Sequence, residues 1–129
     1  FNGAEAVSAT TIARFNKMFE PFGLKNTVIY PAYGLAESSV ALVLPQPEQE
    51  QIIDRVDQQF LEKEQIARPY QEGSHKKAIE FVCVGTALDD HQVRIVDANG
   101  KKLPDRVVGR LVFKGPSTMK GYYRNPEVT

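Results

Sequence analysis

A short apolar run at residues 27–32, followed at once by a glycine and a carboxylate, constrains the fold of this chain more than any other feature. The run is Thr27-Val28-Ile29-Tyr30-Pro31-Ala32, and its composition predicts a buried strand. This strand leads directly into Tyr33-Gly34-Leu35-Ala36-Glu37. Because ligands bind beyond the carboxyl ends of strands in open α/β sheets, the sequence predicts a binding site at this pentapeptide.

The residue types of the pentapeptide suit a phosphorylated nucleotide. An aromatic ring such as that of Tyr33 can stack on a base, and Gly34 lets the backbone approach a phosphate. A carboxylate such as that of Glu37 can hold Mg²⁺ beside the phosphate. Two plainer interpretations stay open from these residues alone. Tyr33 can be a core aromatic at a strand end, and Glu37 can be an acid at the start of a helical turn.

A helix is predicted immediately before the strand. Its start can be capped by Ser8, and Pro21 and Gly23 end it. Its apolar face has residues spaced three, four and three positions apart, namely Ile12, Phe15, Phe19 and Phe22. A helix followed by a buried strand is half of a parallel α/β unit. We therefore predict that residues 1–45 are the C-terminal part of an α/β subdomain.

The remainder of the chain changes character twice. Residues 46–77 are rich in Gln and Glu, and they predict a polar insertion with one short helix at residues 56–66. Three short β candidates separated by turn signals follow, at residues 79–84, 92–96 and 110–114. They predict a β subdomain at residues 78–129, built as a small antiparallel sheet or barrel. The predicted fold class is therefore α+β.

Composition excludes several classes of partner. The formal net charge is zero, so no electrostatic footprint favours nucleic acid or an anionic membrane surface. No apolar stretch approaches the ~20 residues of a membrane span. The single cysteine, Cys83, cannot form an internal disulfide, which fits a cytoplasmic location. His75 and His91 have no partners at ligand spacing, so neither a zinc site nor a Ser-His-Asp triad is predicted.

Two further segments accompany the pentapeptide. Phe1-Asn2-Gly3-Ala4-Glu5 lies upstream, and a glycine-punctuated run from Val108-Gly109-Arg110 to Asn125-Pro126-Glu127 lies downstream. In this order and at these distances, the three segments resemble the adenylate-forming acyl-activating enzymes, and among them the fatty-acyl-AMP ligases. The resemblance covers essentially the whole chain. It implies an enzyme that uses ATP and Mg²⁺ to convert a fatty acid into an acyl-adenylate and passes the acyl group to the phosphopantetheine thiol of an acyl carrier protein.

The resemblance also assigns roles to residues of this chain. It implies an adenine slot formed by Gly3, Ala4, Glu5 and Tyr33. It also implies that the junction of phosphate and acyl group is lined by Gly34, Leu35 and Ala36, and that Glu37 binds the Mg²⁺. Two positions depart from the wider pattern. Ala36 stands where many relatives have a Thr that contacts the α-phosphate, although fatty-acyl-AMP ligases commonly share the Ala. Ala6 stands where these ligases usually have Pro, which leaves that loop less rigid.

We expect the chain to be a piece of a longer protein, because it begins at Phe1 without a methionine. The resemblance implies a Ser/Thr/Gly-rich phosphate loop before the matched region. It also implies a ribose-binding aspartate and a small domain with a catalytic lysine beyond it. No phosphate loop of the Gly-x-x-x-x-Gly-Lys type occurs within the chain. We therefore assign no catalytic residue and expect this chain to be inactive by itself.

Residues 46–77 bear on the choice of acyl acceptor. They resemble the insertion that separates fatty-acyl-AMP ligases from acyl-CoA ligases and that disfavours CoA. The alternative is a tolerated surface loop, because long loops cost little closure entropy. Two rival functions stay open beside the ligase: a piece of an acyl-CoA ligase, and a noncatalytic module that keeps the scaffold and binds a protein partner.

Overall fold

The computed structural model describes residues 1–73 and 75–129. Over these residues, helices and short strands are mixed along the chain. The elements are α1 (Ala9–Phe19), β1 (Val43–Leu44), β2 (Ile53–Asp57), α2 (Gln58–Glu64), β3 (Ala78–Val82), β4 (Thr86–Ala87), β5 (Gln92–Val96) and β6 (Arg110–Lys114). Short 3₁₀-helices lie at Glu20–Phe22, Ala36–Ser38 and Pro126–Val128. None of the helices in the described residues is long and apolar enough to cross a membrane.

Helix α1 begins where the sequence predicts. The Ser8 side-chain oxygen accepts a hydrogen bond from the Thr11 backbone N–H at 3.2 Å, which caps the first turn. The helix ends through a 3₁₀ turn containing Pro21, and Gly23 follows with φ 80°, the left-handed conformation that favours glycine. Of the predicted apolar face, only Ile12 is buried. The three phenylalanines of this face are exposed and contact one another instead, with ring centroids 4.7 and 6.4 Å apart.

The predicted strand at residues 27–30 is wrong. The segment forms no strand, and its one bridge lies at its end, where Pro31 pairs in parallel with Asn2. A strand needs a continuous hydrogen-bonded neighbour, and here the backbone of one residue, Asn2, supplies the pairing. The Ile29 carbonyl is satisfied by the Gln51 side chain at 2.9 Å rather than by a second strand. The apolar run is therefore a connecting segment between α1 and the pentapeptide.

The strands pair two by two into antiparallel sheets, so the α+β prediction is confirmed. β1 pairs with β4, β2 with β3, and β5 with β6. The β5–β6 register runs from Gln92 opposite Lys114 to Val96 opposite Arg110. The predicted bounds of both strands match the structure. Within residues 1–73 and 75–129 no barrel forms, because each strand has only one hydrogen-bonded strand partner.

The polar insertion contains a strand that the sequence did not predict. β2 pairs with β3 over five residue pairs, from Ile53 opposite Val82 to Asp57 opposite Ala78. Helix α2 then starts at Gln58, because the Asp57 carboxylate accepts a hydrogen bond from the Phe60 N–H at 3.1 Å. The predicted helix is present, but it is shorter at both ends than residues 56–66. The division into residues 1–45, 46–77 and 78–129 stays a prediction.

The insertion is attached to the loop between β5 and β6. The Arg106 guanidinium donates to both carboxylate oxygens of Asp54, at 3.1 and 3.0 Å. The Val108 N–H donates to the Gln65 carbonyl at 2.9 Å. The β2–β3 sheet, helix α2 and the β5–β6 sheet are therefore joined by hydrogen bonds as well as by the chain. The buried hydrophobic side chains are few, namely Ile12, Leu42, Val43, Val56 and Val96.

Candidate functional site

A cavity of about 730 Å³ lies where the N-terminal segment meets the pentapeptide. Its wall comes from three stretches of chain, formed by Phe1, Gly3 and Ala4, by Ala32 to Ala36, and by Val40, Ala41 and Leu44. All the residues predicted for the adenine slot and the phosphate junction line it, except Glu5. Glu5 is exposed beside Ala4 and lies outside the lining residues. The structure thus brings Gly3, Ala4, Tyr33, Gly34, Leu35 and Ala36 together around one space.

Backbone hydrogen bonds hold the first two stretches together. The Asn2 N–H donates to the Tyr30 carbonyl at 2.7 Å, and the Ala32 N–H donates to the Asn2 carbonyl at 2.9 Å. This pairing presses Gly3 against Ala32, where an added Cβ would lie only 2.6 Å from the Ala32 carbonyl oxygen. The Gly3 position therefore needs glycine for close approach rather than for a special φ.

The second and third stretches are held together by a pairing around Tyr33. The Tyr33 N–H donates to the Val43 carbonyl at 3.1 Å, and the Val43 N–H donates back to the Tyr33 carbonyl at 2.9 Å. Between them the chain folds back tightly, and an added Cβ at Gly34 would lie 1.5 Å from the Val40 carbonyl oxygen. Leu42, fully buried, lies under this fold.

The Tyr33 side chain borders the cavity and is 39% exposed. Within the described residues its ring is therefore not enclosed, as the plainer interpretation of a core aromatic would require. The same cavity, which is open to solvent as a groove, is also bordered by Phe1, Gly3 and Ala4. An aromatic ring on an open groove, with backbone close by, has the geometry that stacking on a base requires.

Val40 is one of the cavity-lining residues that the sequence analysis did not assign to the site. It has φ 85°, a left-handed conformation that β-branched residues rarely adopt. It is 78% exposed and lines the cavity, so packing does not hold it there. Its N–H donates to the Leu35 carbonyl at 3.1 Å, which closes the loop. Backbone strain of this kind clusters at ligand sites. A left-handed conformation could not be predicted here from the sequence, because valine is not a residue type that favours it.

Glu37 lies beside the cavity rather than in its wall. It sits in the 3₁₀ turn Ala36–Ser38, and its carboxylate accepts a hydrogen bond from the Tyr122 hydroxyl. That hydrogen bond, helped by the backbone amide of Glu37 itself, holds the pKa of the Glu37 carboxyl below its ordinary value. The same bond raises the pKa of the Tyr122 phenol. Sequence analysis did not connect Tyr122 with the site.

The donor set around Glu37 fits one mode of metal binding and not another. Among the residues that the structure describes, no group of three or more His, Cys, Asp and Glu side chains is arranged to hold a metal ion. A closed all-protein site is therefore absent from residues 1–73 and 75–129. Mg²⁺ is usually bound by one or two carboxylates together with substrate phosphates and waters. A single half-exposed carboxylate beside a groove suits that second mode.

Comparison with known proteins gives one family and many relatives. The AMP-binding enzyme family matches residues 1–123. The chain is 33% identical to a putative acyl-CoA synthetase of Caulobacter vibrioides, over 98% of this chain and 22% of that protein. It is 32% identical to the medium-chain-fatty-acid–[acyl-carrier-protein] ligase TtuA of Teredinibacter turnerae, over 100% of this chain and 20% of that protein.

The solved structures agree on the fold. One, from a study of fatty acyl-adenylate ligases of E. coli and L. pneumophila, superimposes with a TM-score of 0.91 at 30% identity, covering 98% of this chain and 22% of that one. The chain therefore spans about a fifth of the length of the curated relatives and of the solved structure that it matches.

Proposed function

This chain belongs to the AMP-binding enzyme family, and from that premise we propose that it is part of an ATP-dependent ligase that activates a fatty acid as its acyl-adenylate. The observation that carries the proposal is the single cavity around Gly3, Ala4 and the segment from Tyr33 to Ala36. These residues are far apart in the chain, yet all of them border the same groove. The aromatic ring can stack on a base, and the glycines let the backbone come close to a phosphate.

In this proposal Tyr33 binds the adenine through the face of its ring, and Gly3 and Ala4 form the opposite wall of the slot. Glu5, which lies outside the lining residues, supports the loop at most through its backbone. Gly34, Leu35 and Ala36 would lie at the junction of α-phosphate and acyl group. Because Ala36 has no hydroxyl, contacts to the α-phosphate would come from backbone N–H groups and from other parts of the protein. The gain in rate would come mainly from alignment of the two reacting groups.

Glu37 is the residue that we propose as a ligand of Mg²⁺. When bound, the ion would neutralise charge on the phosphate oxygens. The contribution of this chain would be the Glu37 carboxylate, which is ionised at neutral pH as glutamates ordinarily are. The surrounding residues would orient the nucleotide and hold its base out of water.

The acyl acceptor that we propose is the phosphopantetheine thiol of an acyl carrier protein. It is supported by the relative named as a medium-chain-fatty-acid–[acyl-carrier-protein] ligase and by the resemblance of residues 46–77 to the insertion that disfavours CoA. The relative named as a putative acyl-CoA synthetase favours CoA as the second candidate. Because the chain spans only about a fifth of these relatives, we expect activity from the full-length protein and not from this chain alone. A cytoplasmic location, in keeping with the single cysteine, is part of the same proposal.

The test is nucleotide binding and adenylate formation by the full-length protein. ATP affinity is measured by isothermal titration, and pyrophosphate release is followed with and without a fatty acid. We expect Tyr33→Ala to raise the ATP dissociation constant roughly five- to 150-fold, the value of one base–aromatic stacking contact. Tyr33→Phe keeps the ring and should bind ATP nearly as well as the native protein.

The matched control is Tyr123→Ala, which removes a phenol that is 86% exposed and outside the cavity lining. The proposal is supported if fatty-acid-dependent pyrophosphate release at limiting ATP falls in Tyr33→Ala and is kept in Tyr123→Ala. Binding that is absent, or indifferent to Tyr33, favours the noncatalytic module. A separate comparison offers the formed adenylate either a carrier protein or CoA, and rapid formation of acyl-CoA selects the CoA ligase.

A further inference from the structure

We propose that Tyr122 is a positioning residue for the metal site: its hydroxyl holds one oxygen of the Glu37 carboxylate and directs the other toward the cation that accompanies the nucleotide. This inference rests on the proposed function. It adds a residue that is far from the pentapeptide in the chain; Tyr122 lies in the downstream segment of the resemblance, but the sequence analysis assigned it no role. The observation behind it is the hydrogen bond from Tyr122 to Glu37.

The chemistry of the pair suits this role. An ionised carboxylate has two oxygens and about four lone-pair sites, so one phenol donor leaves acceptor capacity free for a cation. A phenol is neutral at physiological pH, and it therefore orients the carboxylate without cancelling its charge as Lys or Arg would. A free Glu side chain has several rotamers, and restricting it in advance removes part of the ordering cost of binding.

Tyr122 is itself held in place by its own neighbours. Its backbone N–H donates to the Thr129 hydroxyl at 3.0 Å, and that hydroxyl donates to the Asn125 carbonyl at 3.0 Å. The Asn125 N–H donates back to the Tyr122 carbonyl at 3.2 Å. These bonds fix the backbone from which the phenol reaches Glu37.

The hydroxyl of Tyr122 is not what joins the two segments. The Met119 N–H donates to the Glu37 carbonyl at 2.8 Å, and the Ser39 hydroxyl donates to the Ser117 carbonyl at 3.2 Å. Both bonds remain if Tyr122 loses its hydroxyl. Tyr122 is also 43% exposed, so water can satisfy its hydroxyl and burial does not require the bond to Glu37. Removing that hydroxyl should therefore release the carboxylate and leave the loops in place.

The experiment measures ATP binding by the full-length protein in the absence of fatty acid, so that no turnover occurs. Isothermal titration gives the ATP dissociation constant with excess Mg²⁺ and again with EDTA. The dissociation constant in EDTA divided by the constant in Mg²⁺ reports how much the metal contributes to binding, and this quotient is the ratio compared among the variants. We expect Tyr122→Phe to reduce this ratio about fivefold, the order expected for one hydrogen bond of average strength. The constant measured in EDTA should stay unchanged.

Two comparisons make the result specific. Tyr123→Phe is the same chemical change at the adjacent, 86% exposed residue, and the ratio should equal that of the native protein. Glu37→Gln should lower the ratio by itself, and adding Tyr122→Phe to it should change nothing more, because the two residues act through one carboxylate.

The possible failures are distinguishable. If the native protein does not bind ATP, the proposed function is wrong. If it binds ATP but Glu37→Gln leaves the ratio intact, Glu37 is not a metal ligand and the positioning role is refuted with it. If Glu37→Gln lowers the ratio while Tyr122→Phe leaves it unchanged, raises it, or weakens binding equally in Mg²⁺ and EDTA, Tyr122 does not position the carboxylate.

Discussion

Replacement of Gly34 by alanine tests whether the fold-back beside Tyr33 is required for nucleotide binding. An added Cβ would lie 1.5 Å from the Val40 carbonyl oxygen, 2.6 Å from the Val40 carbonyl carbon and 3.0 Å from the Ala41 Cα. Ordinary van der Waals contacts start near 3.4 Å, so the two chain segments that hold Gly34 and Val40 must separate by about 1.9 Å. All three neighbours are backbone atoms, and no side-chain rotation can relieve the contact.

The cost follows from the hydrogen bonds that this separation breaks. The Val40 N–H to Leu35 carbonyl bond and the Leu42 N–H to Tyr33 carbonyl bond are both 3.1 Å long, and neither survives such a displacement. Each is worth about 1 kcal/mol, and more where the donor becomes buried and unsatisfied, as at Leu42. We therefore expect the closed loop to be destabilised by about 2–4 kcal/mol. This corresponds to a roughly 30- to 1,000-fold lower equilibrium constant between the closed and the open loop.

The assay is ATP binding to the full-length protein by isothermal titration, with circular dichroism to check that the variant is folded. If only the closed loop binds, the apparent dissociation constant is the intrinsic one divided by the closed fraction, so it rises by at most this factor. The matched control is Gly23→Ala. Gly23 has φ 80° and no atom within 4 Å of an added Cβ, so the change costs about 1 kcal/mol of backbone strain at a residue outside the cavity lining.

Two outcomes for Gly34→Ala separate structure from function. A folded variant that binds ATP with native affinity would refute the argument that the fold-back shapes the site. Weaker binding in Gly34→Ala and unchanged binding in Gly23→Ala would support it.

Two further predictions concern stability. Leu42→Ala should cost about 3 kcal/mol, because the side chain is fully buried; hydrogen exchange of residues 33–43 should then accelerate about a hundredfold, whereas Ile52→Ala, at a 54% exposed position, should change little. Lys76→Met should flatten the acid dependence of the unfolding temperature: the hydrogen bond from Lys76, 2.8 Å from the Asp57 carboxylate, is the main cause of the low pKa of Asp57. That stabilisation is full above the ordinary pKa of 3.8 and is lost as pH falls below it, so an unchanged pH profile would contradict the assignment.

The local parts of the fold could be predicted from the sequence. Ser8 as a cap, Gly23 as a left-handed end and the two strands of the β5–β6 pair all depend on residues close together in the chain. The same holds for the two glycine-containing segments that border the cavity. Each carries its own signal, and the order of the segments added the resemblance to a ligase.

The parts that failed depend on partners elsewhere in the chain. Residues 27–30 have the composition of a strand, but among the described residues only Asn2 pairs with the end of this run. Residues 53–57 alternate less clearly and contain two acids and an arginine, yet they form a strand because β3 lies opposite them. Strand formation is thus decided by the neighbour more than by composition, which is why β propensity depends on context.

The contact between Glu37 and Tyr122 shows why the site could be predicted only in part. The two residues are 85 positions apart, and the phenol reaches the carboxylate only because β5 and β6 pair and return the chain to the 3₁₀ turn. A pentapeptide can specify which residue offers a carboxylate, since that depends on local sequence. It cannot specify which way the carboxylate points, because that depends on a hydroxyl from the segment that follows β6. If metal affinity depends on this orientation, changes in the β5–β6 sheet that shift Tyr122 should weaken nucleotide binding without altering any residue of the cavity wall.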